Sequence, residues 1–300
     1  MNHDFSLIFV GDIMLDRKVK KIIESKNDIN WPFRKISKFL KSGDIVIGNM
    51  ESPILKKGEI DKKFVKCNKH SSGCCEGKCV FKTDPIMIQS LKKANISMVS
   101  VANNHIFDYG VDGYQKTIRY LLTNEVEPIG FDHVAIIDVT VNIKIGVVAY
   151  CFAFIQQTDI AILLNQIKDD LNHLSICQTK IVILHGGKEY QKTPTRLQKT
   201  IAKFAIDNGA DLLIGHHSHV KQLIDIYKGK YIFYGLGNFI FDQDWDRTKN
   251  TRNGYGLKII FDTKKGIINQ YELSDIFIND DYQPLIKKTT ILKNLLSVKI

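Results

Sequence analysis

Short runs of apolar, mostly β-branched residues recur along the chain at Leu7–Val10, Ile45–Ile47, Met98–Val101, Ile181–Leu184 and Leu212–Ile214, each of a length that suits a buried strand. Amphipathic stretches lie between them. The spacing predicts helices over Trp31–Lys41, Pro85–Ala94, Tyr114–Asn124, Asp159–Leu174 and Thr195–Asn208, the last closed by Gly209. Strands that alternate with helices in this way predict an α/β sandwich. Alternation around Asn142 and two runs around Lys228-Gly229-Lys230 predict hairpins, as does Lys264-Lys265-Gly266 between Tyr255–Phe261 and Ile267–Leu273, so antiparallel strands join the parallel ones. Two stretches break the rhythm. Residues 56–82 are polar and rich in Gly, Lys and Cys and read as an insertion, and Asp242–Asn253 reads as a surface loop.

At 44% hydrophobic and 25% charged residues with 6 Pro, the composition excludes disordered, collagen-like and coiled-coil chains. The formal charge of +10 favours an anionic small molecule or polymer as partner, although Lys spread along the chain also makes an ordinary solvated surface. Nucleic acid is disfavoured, because no basic-aromatic motif or recognition module accompanies the charge. Met1–Asp4 has no basic leader character, and the longest apolar run, Gly146–Ile155, is far shorter than the ~20 residues of a membrane helix. The expectation is a cytoplasmic protein with no membrane span, its oligomeric state undetermined. In that compartment Cys67, Cys74, Cys75 and Cys79, with His70 among them, suit a structural zinc better than disulfides or free thiols.

Chemistry gathers where the strands end. Gly11-Asp12 follows the first run, Gly48-Asn49-Met50-Glu51 the second, Ala102-Asn103-Asn104-His105 with Asp108 the third, His185-Gly186-Gly187 the fourth and Gly215-His216-His217-Ser218-His219 the fifth. Ligands of open α/β sheets bind beyond the carboxyl ends of the strands, so these turns are expected to meet in one crevice. A mixed set of carboxylate, amide and imidazole suits Mn, Fe or Zn, whereas oxygens alone would suit Mg or Ca. Single members of the set are also common turn formers or satisfied side chains, but clustered His is costly unless something binds it. On an extended segment, His217 and His219 would point to the same side. The crevice draws on residues from Asp12 to Asn238, so one domain over residues 1–275, carrying the Cys-rich insertion and followed by a 276–300 tail, is the expected organisation. The fingerprints G-x-G-x-x-G after a strand, H-E-x-x-H, G-x-S-x-G and the P-loop are absent.

Gly11-Asp12-Ile13-Met14-Leu15, Gly48-Asn49-Met50-Glu51, Asn103-Asn104-His105 with Asp108-Tyr109-Gly110, His185-Gly186-Gly187 with Glu189-Tyr190, the 215–220 run and Tyr234-Gly235-Leu236-Gly237-Asn238-Phe239 occur in an order that resembles the CapA family, the poly-gamma-glutamate capsule synthesis proteins. That family is similar in turn to the calcineurin-like metallophosphoesterases. The resemblance implies a four-layer α/β/β/α sandwich with mixed sheets. It also implies metal ligation by Asp12, Glu51, Asn104, His185, His217 and His219, with His105 over the substrate; with Glu189 as a further charged candidate beside them, Asp12, His105 and Glu189 are the expected catalytic set. Arg17, Asn238 and Arg252 are the candidate substrate-binding groups, Arg being suited to a bidentate grip on oxyanions. Met14 and Asn49 stand where metallophosphoesterases carry His and Asp, which leaves fewer carboxylates to bridge two ions. The expected function is that of a metal-dependent hydrolase acting on a phosphoester or a poly-gamma-glutamate-type polymer. The alternative is an accessory protein that binds the polymer without turnover.

Overall fold

The first strand, β1 (Phe5–Ile13), divides its side chains between two cores, with Ile8 and Val10 on one face and Leu7 and Phe9 on the other. The same division occurs in β7 (Thr179–His185), where Ile181 and Ile183 share the core of Leu7 and Phe9, while Val182 and Leu184 enter a third cluster. Each strand therefore buries both faces, and two such sheets packed together need a helical layer outside each. In the first outer layer, α1 (Arg17–Lys26), α2 (Ser37–Leu40), α3 (Met87–Lys93) and α4 (Gly110–Thr123) supply Val19, Leu40, Leu91 and Leu121. In the second, α5 (Ile160–His173) and α6 (Arg196–Asp207) supply Ile167, Leu171, Ile201 and Ala205. The result is the expected α/β/β/α sandwich. The computed structural model describes residues 4–59, 80–243, 245, 248 and 250–292. Cys67, Cys74, Cys75 and Cys79, and with them the zinc proposal, lie outside the described residues.

Both sheets are mixed. The first continues from β1 through β2 (Ile45–Met50), β3 (Ile96–Ser100) and β4 (Glu127–Ile129), all parallel. On the other side of β1 the sheet is antiparallel: β12 (Asn253–Asp262), β13 (Ile267–Ile278) and β14 (Pro284–Leu292) follow in turn, and β11 (Asn238–Ile240) runs parallel beside the end of β1. In the second sheet the hairpin of β5 (Ala135–Thr140) and β6 (Ile143–Cys151) leads to parallel β7, β8 (Leu212–His216) and β10 (Lys230–Phe233), edged by β9 (Ile224–Tyr227). Thr195 caps α6 by accepting from Gln198 N while the Gln198 side chain bonds back, a reciprocal capping box.

Three local expectations are corrected. Gly11-Asp12 and Gly48-Asn49-Met50 are not turns but the last strand residues of β1 and β2, because β11 pairs with Asp12 and extends the sheet. The helix expected over 31–41 divides into a 3₁₀ turn at Trp31–Phe33 and the short α2. The boundary expected between 275 and 276 falls inside β13, and residues 284–292 pair with it as an edge strand.

Gly11 and Gly215 mark where backbones pass closest. A Cβ on Gly11 would sit 1.9 Å from the Gly237 carbonyl oxygen, and one on Gly215 2.0 Å from that of Tyr234. Neither backbone can move without shifting a strand, so Gly11→Ala and Gly215→Ala are each expected to cost about 1–3 kcal/mol or more. Urea unfolding measures this, and an unchanged midpoint in both would contradict the packing described.

Candidate functional site

The strand ends do converge. Pairing between β1 and β2 shifts register between Phe9 and Asp12, and such a bulge re-aims the side chain that follows it. Asp12 pairs with Asn49 on one side and Asn238 on the other, while Cys151, His185 and His216 lie in register across the second sheet. The fully buried Asp12 Oδ1 accepts from Asn49 Nδ2 at 2.8 Å and from His216 Nδ1 at 2.9 Å. Asn49 Nδ2 also meets His185 Nδ1 at 3.2 Å, and His185 Nε2 lies 2.7 Å from Asn104 Oδ1. Asn103 Nδ2 donates to Asn49 Oδ1 and to the Met50 carbonyl, while its own Oδ1 accepts from His105 N. One connected network thus joins all five of the strand ends.

The loop after β8 carries the remaining imidazoles. It is not the extended segment expected from sequence: His217 at φ +84° and His219 at φ +56° are both left-handed. Backbone strain of this kind persists where surrounding contacts impose it, commonly at functional sites. Tyr190 N donates to the Ser218 carbonyl at 2.8 Å and ties the loop to the turn after β7. His219 Nδ1 lies 3.0 Å from Asn238 Oδ1 and 3.4 Å from Asp12 Oδ2, and its Nε2 is 3.7 Å from Glu51 Oε1. The rings of His217 and His219 are 6.3 Å apart and those of His185 and His217 are 4.9 Å apart.

Burial sets the electrostatics. For Asp12 it opposes ionisation, but hydrogen bonds and charge from His216 and His219 outweigh it and hold the carboxyl well below its usual range. Glu51 is raised well above its usual range by burial, reinforced by Asp12, Glu189 and Asp108. His219 is pushed up to about 10, its burial overcome by Glu51 and Asp12. Burial lowers His185 and brings His217 down to about 4, each aided by a neighbouring imidazole. The cluster thus sets a proton-favouring His219 beside two imidazoles, His185 and His217, whose charged forms burial disfavours.

These residues fit a divalent cation. Asp12, Glu51 and His219 each bring a ligand atom within 4.8 Å of the others. Asp12 Oδ2, both Glu51 carboxylate oxygens and His217 Nδ1 are buried without a hydrogen-bond partner. Buried polar atoms are nearly always satisfied, so the unsatisfied oxygens of Asp12 and Glu51, which face one another with His219, mark a position for a positively charged ligand.

The other expected residues are more dispersed. His105 bonds through Nδ1 to Asp108 Oδ2 at 2.9 Å, stacks on Phe81 at 4.1 Å and turns Nε2 toward Glu51 Oε1 at 3.9 Å. Glu189 is half-buried and close enough to act on the charge states of Glu51, His217 and His219. Arg17 pairs with Asp242 and lies 4.6 Å over the ring of Phe81, the same aromatic group that packs on His105. Asn238 braces His219 while donating to Gln243 Oε1 and the Thr251 carbonyl. Arg252 is not brought into the cluster, because its guanidinium is held by the Ile278 carbonyl, Asp280 and the faces of Trp245 and Phe277. Asn49, Asn103, Asp108 and His216 prove to be working members of the network, and of these only the i, i+3 spacing of His105 and Asp108 is a signal of direct contact.

A sandwich of two mixed sheets with such a strand-end cluster is a fold of the metallophosphoesterase type. A phosphatase from Mycoplasma pneumoniae shares it with a TM-score of 0.55 over 92% of this chain and 95% of that one, at 13% identity. More narrowly, residues 6–243 match the family described as bacterial capsule synthesis protein PGA_cap, and the chain belongs to that family. It is 32% identical over 269 residues to the capsule biosynthesis protein CapA of Bacillus anthracis, covering 83% of this chain and 63% of that protein. It is 29% identical over 305 residues to the PGA biosynthesis protein CapA of Bacillus subtilis, covering 95% and 75%. The chain therefore spans just under two thirds of the length of the first relative.

The raised Glu51 and His219 give a pH dependence with a definite sign. His219 holds a proton at neutral pH in the cation-free protein, burial favours the protonated form of Glu51, and a divalent ion needs the ligand atoms of both bare. Binding of Mn²⁺ is thus expected to release protons, and its affinity to rise with pH from neutrality toward about pH 10, where His219 loses its proton unaided. Calorimetry in buffers of different ionisation enthalpy checks this; an affinity independent of pH would contradict it.

Proposed function

We propose that the chain is a metal-dependent hydrolase that acts on a phosphoester or on an anionic polymer of the poly-gamma-glutamate type. The observation that carries the reading is the group of unpartnered, buried oxygens of Asp12 and Glu51 beside an oriented His105–Asp108 pair. Asp12, Glu51 and His219 would hold one ion, with Asn104, His185 and His217 completing the donor set around it. A bound ion supplies charge neutralisation and lowers the pKa of water toward neutrality.

The rest of the work falls to side chains already in place. Asn49 and His216 fix the Asp12 carboxylate, so it need not reorganise as charge develops. Asp108 accepts from His105 Nδ1 and would stabilise the imidazolium, whose Nε2 N–H faces the cluster and would pass its proton to a leaving oxygen, returning the ring to the neutral form. Phe81 covers the ring and keeps water from it. Arg17, already half-neutralised by Asp242, offers its remaining edge to an oxyanion at the rim.

One feature favours a second reading, in which the protein binds polymer in capsule synthesis without turnover. Asn49 donates a hydrogen bond toward Asp12 where a carboxylate could have bridged two ions, so this cluster is poorer in charge than a two-ion site requires. The names of the Bacillus relatives are consistent with a part in polymer synthesis.

The readings separate experimentally. Purified wild type is expected to carry a transition metal by elemental analysis and to turn over a phosphomonoester, a phosphodiester or poly-gamma-glutamate with Mn²⁺ present. His105→Ala should keep the metal and lose about 10²–10⁴-fold in kcat, whereas His217→Ala should lose the metal as well. Metal without turnover of any substrate would favour the accessory reading, and absence of metal from the wild type would overturn both the ion and the hydrolase.

A further inference from the structure

The buried ring of His219 has its Nδ1 3.0 Å from Asn238 Oδ1. An amide can be oriented either way round, so the direction of this contact must come from a neighbour whose chemistry is fixed. The Thr251 carbonyl is that neighbour: it can only accept, and it faces Asn238 Nδ2 at 3.0 Å. The amide is therefore set with its nitrogen toward Thr251 and its oxygen toward His219. The second Nδ2 hydrogen goes to Gln243 Oε1 at 2.9 Å, which turns Gln243 Nε2 to the Tyr190 hydroxyl at 3.4 Å. Both donors of the buried Asn238 amide are used, and none is left for a substrate.

The consequence falls on the imidazole. Its Nδ1 faces two atoms that can only accept, Asn238 Oδ1 and, at 3.4 Å, Oδ2 of the Asp12 carboxylate. Nδ1 therefore carries a hydrogen, and the atom left to offer a lone pair is Nε2, 3.7 Å from Glu51 Oε1. Half a turn of the ring would bring a carbon against Asn238 Oδ1 and lose the bond. Two aromatic rings oppose that rotation: Tyr190 stacks on His219 at 5.9 Å with the planes 28° apart, and Phe241 meets it at 4.8 Å and 60°. Tyr190 is itself left-handed at φ +60°, tied through its N to the Ser218 carbonyl and through its hydroxyl to Gln243. Asn238, Phe241 and Gln243 all come from β11 and the turn that follows it, so one short stretch of chain fixes the ring, its cover and its hydrogen.

We propose that Asn238 is a positioning residue, not a substrate-binding one, and that with Gln243 and Tyr190 it commits His219 to offer Nε2 to the cation. The inference rests on the ion proposed at Asp12, Glu51 and His219. Long-range ¹H–¹⁵N NMR of the Zn²⁺-loaded full chain reads the hydrogen directly and is expected to place it on His219 Nδ1. Calorimetry with Mn²⁺ gives a second readout. Asn238→Ala is expected to weaken Mn²⁺ binding about 10–100-fold, the usual loss when the hydrogen-bond partner of a ligand is removed. Asn238→Asp keeps an acceptor for Nδ1 and should recover most of that loss, whereas Asn238→Leu, which only fills the space, should not. Gln243→Leu leaves Thr251 to set the amide, so the hydrogen should stay on Nδ1 and Mn²⁺ binding should weaken less than in Asn238→Ala. A hydrogen on Nε2 in the Zn²⁺-bound wild type, wild-type Mn²⁺ affinity in Asn238→Ala, or Asn238→Asp no better than Asn238→Leu would overturn this inference alone. A wild type that binds neither Zn²⁺ nor Mn²⁺ would overturn the ion, and the inference with it.

Discussion

Asp12 and Glu51 are fully buried where the two sheets bring their strand ends together, and ionised carboxylates removed from water cost several kcal/mol each unless a charge or donor set answers them. Much of the surrounding structure is such an answer. Asn49, His216 and His219 serve Asp12, while Glu51 has only the distant edges of His105 and His219 and keeps both oxygens without a hydrogen bond. The imbalance is local and directional, since the unsatisfied atoms belong to residues that face one another. A cation at that point would remove the imbalance and displace the proton that His219 holds in its absence.

The architecture makes this concentration of charge possible. Central strands such as β1 and β7 bury both faces, so the interior around them is largely apolar, and buried charge concentrates at the edge where β1, β2, β7 and β8 end. The short β11 is central to that edge: it runs beside β1, accepts Asp12 N through the Gly237 carbonyl at 3.0 Å and supplies Asn238 to His219. Its close approach requires glycine at 11. Stability and site geometry are thus tied to the same few backbone contacts.

The layered fold was legible in the sequence because the two periodicities are unmixed here: continuous apolar runs mark strands buried on both faces, and 3.6-residue spacing marks the helices over them. The elements that were not legible are those held by neighbours instead of pattern. β11 and β4 are three residues each, too short to show a period, and β14 exposes most of its side chains. At the site, residue types such as Asp12, Glu51, His185, His217 and His219 were readable because they crowd strand ends. Partnership was not readable: Asn49 and His216 looked like a departure and a spare, yet both hydrogen-bond to Asp12. Arg252 looked available to a ligand, but the faces of Trp245 and Phe277 and the Ile278 carbonyl hold it elsewhere. Pairings of that kind depend on tertiary register, which residue spacing does not encode.

Membership of the PGA_cap family and the phosphatase-like sandwich agree with one another without defining a reaction, since a fold hosts many chemistries and the site decides among them. The central claim is that the Asp12, Glu51 and His219 cluster is built around a cation. Anomalous diffraction from Mn²⁺-soaked crystals tests it most directly. The account predicts a peak within coordinating distance of Asp12 Oδ2, a Glu51 carboxylate oxygen and His219. Fully soaked crystals with no peak there, or with manganese only elsewhere on the molecule, would contradict it.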